Sequence, residues 1–420
     1  MRVLHTADWH LGQHFLTGQE RLTEQQTFLN WLLEAVQTHG VDALVIAGDV
    51  FDTTSPSHAA QELYYTFLVK MQATVCRDIV VVGGNHDSPT LLNASRQLLR
   101  QLRIHVIGGV PTDPTEQVLS LAETNGRPGL VVCAVPFLRD RDIRLAMAGE
   151  TPDERQIRIR QSIAGHYAGL ADSAAVQRLR EQDVPVLATG HLYAAGGEAR
   201  EGAERDVHIG GLGLVGAEHF PAAFDYVALG HLHRPQVVGG RAHIRYSGSP
   251  VPLSFTEAND RQQVLLLDFE GAGTPVITAL LVPVTRRLQR FHGTLDEVEA
   301  DILAFDNAAF QLVAWADVLV HSDETPAEVQ RRVQAALQLQ KALVVAPRGV
   351  RHQRATEAPD LALEAATPLA RLQELRVEDV FARRVAGLPP ERATALTATF
   401  GELRQLLAEA DPAAWGGTAE

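Results

Sequence analysis

Five short clusters of Asp, Asn and His recur along this chain, each at or just after a short apolar strand. They are Asp8-Trp9-His10, Gly48-Asp49, Gly84-Asn85-His86-Asp87, Gly190-His191 and Gly230-His231-Leu232-His233. The strands read as Val3–His5, Ala43–Ala47, Ile79–Val82, Leu130–Ala134, Val186–Ala188, Tyr226–Leu229 and His243–Tyr246. Helical patterns alternate with them. One spans about Glu20 to Thr38, with Leu22, Phe28, Leu29, Leu32, Leu33 and Val36 on one stripe and Gly40 placed to stop it. Others cover Pro56–Met71 and Pro89–Leu102. Alternation of this kind points to a layered α/β domain with polar groups collected at strand ends.

That pattern occupies residues 1–283. Residues 284–350 form a second unit in the order strand, helix, strand, helix, strand, a small α+β capping domain. Phe310–Val320 and Ala342–Ala346 are its clearer strands. Thr294-Leu-Asp-Glu297 and Thr325-Pro-Ala-Glu328 each fit a capping box. Residues 351–372 read as a linker, residues 373–411 as an amphipathic helix pair broken at Pro389-Pro390, and residues 412–420 as a tail. Val377, Val380 and Phe381 share one face of the pair, and Leu396, Phe400, Leu403 and Leu407 line the other helix. Helices this short do not bury such stripes by themselves. They dock either onto their own core or onto another chain.

Bulk properties set the class. Over 420 residues, 45% are hydrophobic and 21% charged, as in globular proteins. No apolar run is long enough to span a bilayer, and the N-terminus opens directly as a strand, so a cytoplasmic protein is expected. Cys76 and Cys133 are too few for a disulfide framework or a thiolate metal site. The net charge of −14 counts against a free-standing nucleic-acid binder. Bound metals, local Arg residues and a partner could still supply a positive field.

Taken singly, each cluster is a weak signal, since a Gly-Asp pair marks a turn more often than a site. In series at strand ends they form a ligand set for two divalent metals. Such a pair, about 3.5–4 Å apart, clamps a phosphodiester and lowers the pKa of a bound water. Mixed imidazole and carboxylate ligands suit Mn²⁺, Fe²⁺ or Zn²⁺ better than Ca²⁺. Asp49, central in the order and without a His beside it, is the expected bridge. Asp8, His10 and His233 complete one metal, and Asn85, His191 and His231 the other. His166 also follows a Gly but lies in a helical pattern, so His191 is preferred. Trp9 reads as a packing anchor, and His5, His105, His208 and His243 as structural residues.

The segments Met1-Arg-Val-Leu-His-Thr-Ala-Asp-Trp-His-Leu-Gly12, Ala47-Gly-Asp-Val-Phe-Asp-Thr53, Ala188-Thr-Gly-His-Leu192 and Tyr246-Ser-Gly-Ser-Pro250 resemble the break-repair nuclease branch of the calcineurin-like metallophosphoesterase superfamily. The resemblance implies a layered β-sandwich with flanking helices, a capping domain and a C-terminal helix pair. It implies Mn²⁺-dependent double-strand exonuclease and single-strand or hairpin endonuclease activity on DNA. It also implies an ATPase partner with a long coiled coil and a homodimer of nuclease subunits. Asp8, His10, Asp49, Asn85, His191, His231 and His233 then carry over as metal ligands. His86 carries over as the group beside the scissile phosphate, with Asp87 as the carboxylate that orients it. Some relatives have His three residues after the bridging Asp; here Asp52 stands there, as an acceptor behind the ligands.

Arg139, Arg141 and Arg144 are possible DNA contacts, although Asp140 and Asp142 interleave them. Tyr64, Tyr65, Leu68, Leu91, Leu92, Leu98 and Leu99 read as core, with any surplus at a dimer axis. Two rival functions stand beside the nuclease. A protein phosphatase of this superfamily carries Arg soon after the second cluster, and Phe51-Asp-Thr-Thr-Ser55 has none. A tether that holds DNA ends without cutting does not need the intact ligand set.

Overall fold

The computed structural model describes residues 1–15, 19–143, 151–194, 215–340 and 343–353. Two six-stranded sheets form the main domain. In the first, the parallel strands Arg2–Thr6, Ala43–Ala47, Asp78–Val82 and Ile104–Ile107 lie side by side, and Gln263–Asp268 and Val276–Leu281 extend it antiparallel. In the second, Pro128–Cys133, Val186–His191, Tyr226–Gly230 and Arg241–Tyr246 are parallel, with antiparallel edges at Val118–Ala122 and Gln236–Val238.

Strand periodicity explains the layering. In Ala43–Ala47, Val45 turns inward to meet Val132, Leu187 and Ala228 of the opposite sheet. Leu44 and Ile46 turn outward against Phe28, Leu32 and Phe67 of the helices Leu22–His39 and His58–Met71. The second sheet is covered likewise by Ile159, Ile163 and Tyr167 of the helix Pro152–Ala171. Each central strand is therefore apolar on both faces, and the order is helix, sheet, sheet, helix. The layered α/β class expected from the sequence is the one found.

Local details depart in instructive ways. The first helix starts at Leu22, because Gln19–Glu20 pair with His14–Phe15; Gly40 ends it in the left-handed conformation, φ 61°. The single helix expected over Pro89–Leu102 breaks at Ser95, which closes Pro89–Ala94 and opens Arg96–Gln101. Trp9 is a packing anchor, set edge-on to Phe28 and Phe67. His5 is fully buried, with Nδ1 3.0 Å from the Tyr226 hydroxyl of the other sheet. No helix among the described residues is long and apolar enough to cross a membrane.

Residues 286–353 run strand, helix, strand, helix, strand. Arg286–Thr294, Leu312–His321 and Leu343–Gln353 form a parallel sheet, with Leu295–Ala304 and Pro326–Leu339 as its helices. Thr294 and Glu297 make a complete capping box. Thr325 caps its helix, but the Glu328 carboxylate turns to Arg331 instead of back to the cap. Leu288 and Trp315 pack on Phe15 and Phe255 of the main domain. The final strand runs to Gln353, past the expected end of this unit at residue 350. Val377, Val380, Phe381, Leu396, Phe400, Leu403 and Leu407 lie outside the described residues, as does His208.

Candidate metal centre

All five clusters sit at the carboxyl ends of parallel strands, where open α/β sheets place their ligand sites. Asp8 and His10 follow Arg2–Thr6, Asp49 follows Ala43–Ala47, and Asn85 follows Asp78–Val82. His191 closes Val186–His191, and His231 and His233 follow Tyr226–Gly230. The two sheets thus converge on one point from opposite sides.

The backbone there is strained. Among the described residues, six non-glycines have positive φ, and four of them are Asp8 (54°), His10 (45°), Asp49 (47°) and His231 (102°). Such conformations cost of order 1–3 kcal/mol each and cluster at functional sites. Glycine supplies the remaining room. A Cβ on Gly84 would fall 2.1 Å from Asp49 Oδ1, and one on Gly48, at φ 93°, would fall 2.2 Å from His191 Nδ1.

Asp49 lies at the middle. Its Oδ2 is 3.5 Å from His10 Nε2 and 3.2 Å from His191 Nε2. Its Oδ1 accepts the backbone N–H of His86 at 2.9 Å. Donor atoms of Asp8, His10 and His233 lie within 4.8 Å of one another, as do those of Asp8, Asp49 and His191. Asn85 Oδ1 is 2.9 Å from His191 Nε2 and 3.0 Å from His231 Nδ1. Asp8, His10 and His233 thus gather as one group and Asn85, His191 and His231 as another, and Asp49 Oδ2 approaches one imidazole of each.

Outer contacts fix the imidazoles. His10 Nδ1 is 3.2 Å from Asp52 Oδ1, so Asp52 stands behind a proposed ligand. His191 Nδ1 donates to the Ala47 carbonyl at 3.0 Å. Both rings then present Nε2 inward. His86 donates from Nδ1 to the Asp52 carbonyl at 2.8 Å. The sequence assigns that orienting task to Asp87, and the structure does not. Asp87 is fully buried, and its oxygens accept the backbone N–H groups of Val50, Phe51 and Gly84 at 3.1, 3.0 and 2.9 Å. It ties two of the ligand loops together and makes no bond to His86. Burial and the nearby Asp49 push it up to about 6, against those N–H groups.

The donor set fits divalent metals. Asp8 Oδ2 and His10 Nε2 are buried without a hydrogen-bond partner among the described residues. A buried acceptor left this way costs about 1–3 kcal/mol, which a bound cation would remove. The cluster also draws positive charge. Burial pushes Asp8 above the usual carboxylate range. Burial opposes ionisation of Asp49, but His191, then His10 and His86, hold it well below that range. Burial lowers His191, yet Asp49 and Asp8 bring it up to about 9. His231, set among other imidazoles, is driven down to about 3 by burial, in the neutral form a ligand needs. Cys76 and Cys133 are buried free thiols raised to about 12, and belong to the core.

Arg139 is half-buried after the strand Pro128–Cys133, and Arg141 lies in the short helix Asp140–Ile143. Arg144 lies outside the described residues. Phe137, in the same loop, stands edge-on to His191 with ring centroids 6.3 Å apart. Tyr64, Leu68, Leu92 and Leu99 are core, whereas Leu98 is 70% exposed. Sequence reading misses Glu257, a buried carboxylate 3.2 Å from His233 Nδ1. It follows the Tyr246–Pro250 segment, and no local pattern announces so distant a pairing.

Two converging sheets with carboxylates and imidazoles gathered at their strand ends make a candidate divalent-metal centre of the phosphoesterase kind. Residues 1–235 match the family described as calcineurin-like phosphoesterase, and the chain belongs to it. Its relatives define the branch. The chain is 40% identical to the D subunit of nuclease SbcCD from Escherichia coli, over 92% of its own length and 93% of that protein. The protein of the same name from Rhodobacter capsulatus is 36% identical over 91% of this chain and 94% of that one. That from Bacillus subtilis is 39% identical over 64% and 66%. Residues 284–387 match a family described as type 5 capsule protein repressor C-terminal domain.

Proposed function

We propose that this chain is the cytoplasmic nuclease subunit of an end-processing complex and hydrolyses DNA phosphodiesters with two divalent metals, Mn²⁺ by preference. The observation that carries the reading is Asp49 standing between two donor sets, with Oδ2 3.5 Å from His10 and 3.2 Å from His191. Relatives over nine-tenths of the chain are named as SbcCD nuclease subunits, which supports DNA as the substrate. Double-strand exonuclease and hairpin or single-strand endonuclease activities belong to this proposal. So do an SbcC-type ATPase partner, engaged through residues 373–411, and a homodimer. The exposed Leu98 and Val69 are available for the dimer contact. Arg139, Arg141 and Arg144 are proposed contacts to DNA phosphates.

When bound, the metals would supply Lewis acidity at the phosphate and an activated water. Asp8, His10 and His233 would hold one ion, Asn85, His191 and His231 the other, and Asp49 both. The chain's own contribution is orientation. Asp52 and Ala47 fix the outer nitrogens of His10 and His191, and Asp87 fixes the spacing of the loops that carry Asp49 and Asn85. His86 keeps its proton on Nδ1 through the Asp52 carbonyl. Burial lowers its basicity, so it rests neutral, with Nε2 left for the substrate. As negative charge gathers at the phosphate, Nε2 would take a proton from solvent and pass it to the leaving oxygen, which returns the ring to its neutral Nδ1–H form.

The test compares Mn²⁺-dependent cleavage of a DNA hairpin and of a linear duplex with turnover of a generic phosphomonoester. Cleavage of both DNAs is expected, with little monoester turnover. The reverse preference would make the chain a phosphatase. Binding of ends without cleavage would make it a tether.

A further inference from the structure

The segment from Ser247 to Glu257 is wrapped around one metal ligand. Ser249 donates its backbone N–H to the His233 carbonyl at 2.9 Å and its hydroxyl to the Asp8 carbonyl at 2.9 Å. The turn that allows this needs Gly248, at φ 78°, where a Cβ would fall 2.6 Å from Pro235 Cδ and 2.7 Å from the His233 carbonyl oxygen. The chain then returns under the ring of His233. Glu257, 3% exposed, sets Oε1 3.2 Å from His233 Nδ1 and 3.1 Å from the Ser254 hydroxyl, and accepts the Leu253 N–H on Oε2 at 2.7 Å. The buried Arg21, paired with Glu24, donates to the Pro252 carbonyl and pins the middle of the segment.

We infer that Glu257 is a positioning residue for the metal centre: it holds His233 with its proton on Nδ1, so that Nε2 is the coordinating nitrogen. The inference rests on the reading of His233 as a ligand. A carboxylate accepts and cannot donate when ionised, so the contact selects one tautomer and fixes the ring's rotation. Its place matches that of Asp52 behind His10, which shares the proposed first ion with His233. The imidazole facing the second ion through Nε2, His191, is backed by a neutral carbonyl instead. Carboxylate support raises ligand basicity. The first ion is therefore the more tightly held of the two, and Glu257 is part of the reason.

The test is Glu257→Ala in the full-length chain. Mn²⁺ binding is measured by calorimetry, and the His233 tautomer by ¹⁵N NMR without metal. The wild type should bind two ions of unequal affinity. The variant should bind the tighter one about 10–100-fold more weakly. Its His233 should pass from the Nδ1–H form to a mixture with Nε2–H. Two ions at wild-type affinity, or an unchanged tautomer, overturns the inference. Should Glu257→Ala fail to fold, Glu257→Gln is measured in the same way, with a smaller loss expected and unchanged binding again decisive. His233→Ala runs alongside. If that variant keeps both ions at wild-type affinity, the ligand reading of His233 fails. If it loses one while Glu257→Ala loses none, only the positioning role fails.

Discussion

His86 donates its Nδ1 proton to the backbone carbonyl of Asp52 at 2.8 Å, so the ring's orientation is set by main chain and not by a neighbouring carboxylate. A main-chain acceptor cannot be removed by substituting a side chain. It moves only when the loop after Asp49 moves. The same loop places Asp52 Oδ1 3.2 Å from His10 Nδ1, so one residue orients a proposed ligand through its side chain and a proposed catalytic group through its backbone.

His86→Gln should therefore leave two metals bound and the fold intact, while turnover on DNA falls by about 10²–10⁴, the range for a positioned acid–base group. Metal stoichiometry and rate are measured on the same preparation. Donor atoms of His86 come within 4.8 Å of those of His10 and Asp49. Loss of one ion in step with activity would thus make His86 a ligand.

Gly84→Ala tests the close approach of the loops. Its Cβ would meet Asp49 Oδ1, held by the His86 N–H, at 2.1 Å and the Asp49 backbone nitrogen at 2.4 Å, and the backbone atom cannot step aside. The expected outcome is loss of measurable binding of both ions with an unchanged far-ultraviolet circular dichroism spectrum, since the sheets do not depend on this position. Asp49→Ala should give the same metal loss without the steric cause. Two ions bound at wild-type affinity in either variant would mean that Asp49 is not the bridge.

Deleting residues 373–420 should abolish capture of the ATPase partner and leave metal content and thermal midpoint unchanged. Among the described residues the three-stranded sheet runs to Gln353 and has its own core of Val298, Ile302, Val318 and Val333. Pull-down with the purified ATPase decides it. Unchanged capture would place the partner's contact elsewhere.

Much of the site was legible because its chemistry is local in sequence. Each strand ends where its apolar run stops, so the next Asp or His falls at the carboxyl edge of a sheet. What stayed hidden is what depends on pairing across the fold. Asp87 sits next to His86 in sequence, yet the turn after Asn85 sends its carboxylate to Val50 and Phe51. Glu257 reaches His233 only because two sheets bring their loops together. Capping was half legible for the same reason. Thr325 caps as its motif demands, but Arg331 competes successfully for the Glu328 carboxylate.

The last prediction concerns pH and His5. Its imidazole is buried between the sheets, with Nδ1 3.0 Å from the Tyr226 hydroxyl and Nε2 without a partner among the described residues. Burial drives it down from 6.5 to about 3, with a backbone contact to Leu229 only partly opposing. The unfolded chain binds a proton at His5 below 6.5, and the folded chain does not until about 3. Between these values the unfolded state holds more protons, so stability rises with pH and falls on acidification. From this group alone the slope approaches about 1.4 kcal/mol per pH unit at full separation of the two forms. The contribution is nearly flat above pH 7, where neither state binds the proton. The lowered His231 adds to the acid sensitivity and the raised His191 opposes it, so the measurement is a difference. Urea unfolding of the wild type and of His5→Gln is compared at pH 7.5 and pH 5.5. The variant loses packing at both pH values, but it should lose less further stability on acidification than the wild type. Equal losses between the two pH values would mean that His5 is not kept neutral in the fold.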